Sequence, residues 1–197
     1  MDSVLELLVS QLTDNAVEQI GKQVGVNPQQ AQQAVGMALP LLIGALSRNT
    51  SSSDGAASLA GALKRDHDGS ILANLVEAVG RPETVQDGSA ILGHVLGDRR
   101  ENVVNRVSRG SKMDANQVGQ ILAILAPIVL GALGKTQRTR NLDEQGLSAL
   151  LQQERKTVES TSPGLTQLLD MDGDGDVSEE IVSLGANLLS GLLSGKK

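Results

Sequence analysis

The chain repeats itself. A Gln-rich lead-in, Val26-Asn27-Pro28-Gln29-Gln30, runs into an apolar stretch that closes on Pro40-Leu41-Leu42-Ile43-Gly44-Ala45-Leu46. The same plan returns as Met113-Asp114-Ala115-Asn116-Gln117, closing on Pro127-Ile128-Val129-Leu130-Gly131-Ala132-Leu133. Pro40 and Pro127 lie 87 positions apart, and that register holds without a gap back to the pair Leu5 and Leu92. Asn15/Asn102, Val17/Val104, Gln30/Gln117 and Gln33/Gln120 all fall on it. An internal duplication of this kind predicts two copies of one helical unit.

Within each copy the apolar residues recur at helical spacing. Val4, Leu5, Leu8, Val9 and Leu12 share one stripe, and Ala16, Val17, Ile20 and Val24 share the next. Asn27-Pro28 starts a third helix: the Asn side chain can cap, and Pro fits the first turn, where its missing N–H would be unpaired anyway. That helix is expected to kink or end near Pro40. The second copy repeats the order through Ile91–Leu96, Val103, Val104 and Val107, then an Asp114-capped helix and a basic connection from Gly134 to Asn141. No stretch alternates with period two, so the fold class is all-α. The boundaries predicted are repeat one at 1–80, a linker at 81–88, repeat two at 89–155, a second linker at 156–163, and a terminal unit at 164–197. That unit ends in a Leu-rich helix bearing Ile181, Leu184, Leu188, Leu189, Leu192 and Leu193.

Composition narrows the chemistry. Phe, Trp and Tyr are absent, so the core must be Leu, Ile, Val, Met and Ala, and 22 Gly suggest helices that approach closely. The stacking platforms of single-strand nucleic-acid binders are missing. With no Cys there is no disulfide, thiol nucleophile or Cys-type zinc site. The start, Met1-Asp2-Ser3, lacks the basic-then-apolar layout of a leader. The apolar runs at 34–46 and 121–133 are too short to span a bilayer, and a soluble, cytoplasmic protein is expected. Charge is uneven: residues 98–140 hold 8 Lys+Arg against 3 Asp+Glu, and residues 141–197 hold 4 against 10. A basic middle beside an acidic end favours contact between copies, or with a polyanion.

One stretch carries recognisable chemistry. Asp170-Met171-Asp172-Gly173-Asp174-Gly175-Asp176-Val177-Ser178 follows the first nine positions of an EF-hand loop. A hard cation such as Ca²⁺ wants six to eight oxygens, and carboxylates at alternate positions converge on one centre. Asp170, Asp172 and Asp174 supply them, Gly175 allows the sharp turn, Asp176 offers its carbonyl, and Ser178 ligates directly or through water. The closing bidentate Glu is replaced by Ile181, which sets an expected Ca²⁺ affinity of about 10⁻⁴ to 10⁻³ M. The plainer alternative is an acidic turn at the start of the last helix, favoured by its dipole. An echo at Lys64-Arg65-Asp66-His67-Asp68-Gly69-Ser70-Ile71 starts with a lysine, and a structural turn is expected there.

The Gln-rich helix closing on Pro…Gly-Ala-Leu, the Asp-x-Asp-Gly turn and the Leu-rich helix together resemble a bacterial family of unknown function. This is domain of unknown function 937, related to YidB-like proteins. The resemblance rests on Ala38–Leu46, Lys64–Ile71, Ile91–Gly97 and Leu122–Leu133. It implies an all-helical fold and a bacterial source, and it lends no activity.

The residues bear on three classes of function. An enzyme has least support: the two histidines are His67, in a turn, and His94, inside an apolar helix and expected to be a core or interface residue. No P-loop or dinucleotide fingerprint occurs, and the Gly at 88 and 93 mark a linker meeting a helix. A nucleic-acid binder would use Arg99, Arg100, Arg106, Arg109, Lys112, Lys135, Arg138 and Arg140, against a pI near 4.9. A self-associating interaction protein fits best, with regulation of a protein partner by calcium as a variant of it.

Overall fold

The computed structural model describes residues 3–161, and every regular element among them is helical. In chain order these are α1 (Val4–Gln11), α2 (Asp14–Val24), α3 (Pro28–Asn49), α4 (Ser53–Arg65), α5 (Leu75–Val79), α6 (Pro82–Leu96), α7 (Arg100–Ser111), α8 (Ala115–Arg140) and α9 (Glu144–Thr161). Short 3₁₀ turns at Ser70–Asn74 and Gly97–Arg99 lead into α5 and α7.

The two long helices start alike. Asn27 caps α3 by accepting from the Gln30 N–H at 2.9 Å, and the Gln30 side chain accepts from the Asn27 N–H at 3.4 Å. Asp114 and Gln117 make the same reciprocal pair at the start of α8, at 2.8 and 3.2 Å. Each box satisfies two of the four amides a helix start leaves unpaired. The preceding helices end on left-handed residues in the same register, Gly25 (φ 76°) and Lys112 (φ 55°).

Pro40, where a kink or an end is expected, does not end its helix. α3 continues through Pro40 to Asn49, and α8 through Pro127 to Arg140, which absorbs the basic connection read after Gly134. An interior proline costs roughly 3 kcal/mol in a helix. Here every residue from Ala34 to Ser47 and from Ile121 to Gly134 is buried, so packing on all sides outweighs that cost. α8 is also long and apolar enough to cross a membrane by composition, and 83% of its apolar window is buried inside the fold.

The expected linkers are helical too. Residues 82–88 form the first half of α6, opened by Pro82 in its first turn and tied back by the Thr84 hydroxyl donating to the Ala78 carbonyl at 2.6 Å. Residues 156–161 complete α9. Gly88, which reads as a linker residue, is instead where α6 crosses α8: a methyl group there would overlap the Ala123 carbonyl oxygen. That carbonyl stands one turn before Pro127, which has no N–H to donate to it. The proline frees an oxygen, and the glycine lets α6 close on it.

α3 and α8 pack on each other at the centre. α3 also carries α2, α7 and α9, while α8 packs most extensively on α6 and touches α1, α2, α4 and α7. One contiguous core runs from Val4 to Val158 and draws on both halves of the chain. The ends of this body are clasped by Glu154 of α9, which is 4% exposed. Its carboxylate accepts from the Ser3 hydroxyl at 2.6 Å, the Val4 N–H at 2.8 Å and the Leu5 N–H at 3.2 Å, capping α1 from across the fold.

Candidate functional site

Two features gather polar groups at one end of α4. The first is the turn at 64–71. Gly69 adopts φ 91° with its Cα packed close to Lys135 of α8, so both backbone conformation and space demand glycine. Asp68 accepts from the Ser70 N–H at 2.9 Å. The guanidinium of Arg138, from α8, reaches over the turn. It donates to the Asp68 carbonyl at 3.5 Å and the Lys64 carbonyl at 3.4 Å, and lies 3.6 Å from the Asp68 carboxylate. Hydrogen bonds to Ser70, first, and then Arg138 hold the Asp68 carboxyl below its usual range. Two carbonyls and a carboxylate thus converge on a cation supplied by the chain. The pairing is half exposed, so it contributes position more than energy. The sequence expectation of a structural turn did not foresee Arg138, because 70 residues separate it from Asp68.

The second feature is a groove of about 870 Å³ between α4 and α6. Leu46 and Leu130 form its floor, with Leu59 and Ala62 on one wall and Ile91 and Val95 on the other. Arg48, Arg65, Asp66 and both histidines rim it. The Asn49 amide donates to the carbonyls of His94 (3.3 Å) and Val95 (3.1 Å), fastening the α6 wall to the end of α3. His94 is exposed on the groove wall because it falls on the outer face of α6, so of the expected core or interface placement the core does not hold. His67 is half-buried, and burial lowers its pKa below the ordinary 6.5, with Asp66 and Asp87 pulling the other way.

The basic residues read as a nucleic-acid face are dispersed. Arg106 is 6% exposed, Arg138 is engaged with the turn, and Arg99, Arg109, Lys112, Lys135 and Arg140 are exposed on three different elements. The acidic loop with Asp170, Asp172, Asp174, Asp176 and Ser178, and the Leu-rich stretch after it, lie outside the described residues. Among the described residues no group of three or more His, Cys, Asp or Glu side chains is placed to hold a metal ion.

A family model described as "Bacterial protein of unknown function (DUF937)" matches residues 6–136, about two thirds of the chain. No curated protein and no solved structure matches it.

Proposed function

Because the chain belongs to the bacterial DUF937 family, whose description assigns no activity, we propose its role from its own residues: a non-enzymatic, cytoplasmic interaction protein that self-associates and carries a weak Ca²⁺ site in the loop Asp170–Ser178. In this reading the chain is a tandem duplication. The matched cap pairs 27/114 and 30/117, the left-handed residues 25 and 112, and the reciprocal packing of α3 and α8 support it.

The observation that carries the cation site is the turn at 64–71. The loop at 170–178 shares its Asp-x-Asp-Gly plan but has Asp170 where the turn has Lys64. In the turn, Arg138 supplies the positive charge. By the register of 87, the position matching Arg138 in the first half is Ser51, which offers no charge. The loop has more carboxylates, and residues 162–195 contain no Lys or Arg, a composition that suits a diffusible cation. Titration calorimetry of the full chain with Ca²⁺ is expected to give a Kd of about 10⁻⁴ to 10⁻³ M, abolished by Asp170→Asn with Asp172→Asn. Equal heats for the native chain and the double variant would reject the site.

A further inference from the structure

We propose that the groove between α4 and α6 is the docking site for the chain's own Leu-rich segment, residues 181–193. Among the described residues Val76 is the one exposed large apolar side chain. The half-buried Leu59, Ile91 and Val95 are different: they face each other across a concavity. A groove with two apolar walls accepts an amphipathic helix through side chains at three- and four-residue spacing. Ile181, Leu184, Leu188 and Leu192 have that spacing.

Charge matches as well. Arg48 and Arg65 line the groove, and Asp66, its one carboxylate, lies 3.8 Å from Arg65, which leaves the lining net positive. The segment arrives behind Asp170, Asp172, Asp174, Asp176, Glu179 and Glu180, and residues 162–195 contain no Lys or Arg. Oppositely charged approaches of this kind steer docking and fix its direction.

The tether is long enough. Twenty residues separate Thr161 from Ile181, a length of chain that can bridge up to about 65–70 Å. A compact body of this size has a radius of gyration of roughly 15 Å, so the whole surface is within reach. A covalent connection of this length gives an effective concentration of about a millimolar, which favours the chain's own groove over a neighbour's in dilute solution.

The absence of cysteine makes the test clean. Ala62→Cys on the α4 wall is combined with Leu188→Cys in the full chain, at low micromolar concentration in chelator. The control pairs Leu188→Cys with Asn105→Cys, on the exposed face of α7. The groove pair is expected to close an intramolecular disulfide at least about ten-fold faster than the control, with the advantage shrinking in high salt. Equal rates for both pairs would overturn the proposal. Disulfides that join two chains would overturn it too, placing a second copy's segment in the groove. Neither result bears on the calcium titration, so the docking and the cation site fail separately.

Discussion

Single side chains decide how the ends of this body are held. Glu154 is the clearest case, a buried carboxylate that accepts three hydrogen bonds at the start of α1, 150 residues away in sequence. Hydrogen bonds to a charged acceptor contribute about 1.5–3 kcal/mol, and donors stranded by its loss cost more. Glu154→Ala should therefore lower stability by about 2–3 kcal/mol, and amide exchange should show the loss concentrated at Val4, Leu5 and the rest of α1. A loss spread evenly over all helices would contradict the assignment. Asn27, Asp114 and their Gln partners were legible in the sequence, because a capping box is local and its spacing is fixed. Glu154 and Arg138 were not: each acts on a backbone it meets only after folding, and no local spacing announces such a partner.

The elements were legible where periodicity spoke and misleading where punctuation did. The apolar stripes of α1, α2 and α7 gave their positions, since a buried face must recur every three to four residues. Pro40 and Gly88 read as punctuation, a kink or end and a linker, yet both lie inside helices, as does Pro127. The physical reason is tertiary: Pro127 leaves the Ala123 carbonyl without its usual donor, and Gly88 lets α6 close against that carbonyl. Gly88→Ala should force the helices apart and destabilise by about 2–3 kcal/mol, the range for overpacking a close contact. For a chain of this length that is a fall in Tm of very roughly 4–12 °C. Gly93→Ala on the same helix has open space around the added methyl and serves as the control, expected to be neutral or stabilising. Equal effects of the two substitutions would show that the crossing is not the point of closest approach.

At the scale of the molecule, the all-α class was legible from the lack of period-two patterning, whereas the sharing of one core between the halves was not. A register of 87 predicts two like units; it does not say that α3 rests on α2, α7 and α9 while α8 packs most extensively on α6. The proposed function belongs to this scale. With the Leu-rich segment seated in its own groove, the chain is closed. In this proposal Ca²⁺ bound between Asp170 and Ser178 would neutralise the acidic residues that draw the segment to the groove, and a released segment would exchange into the groove of another copy. The direct test is light scattering after size exclusion, in millimolar Ca²⁺ and in chelator, with refractive-index detection because the chain contains no Trp or Tyr. The account predicts the 20.5 kDa monomer in chelator and a larger mass in Ca²⁺; the same mass in both buffers would contradict it.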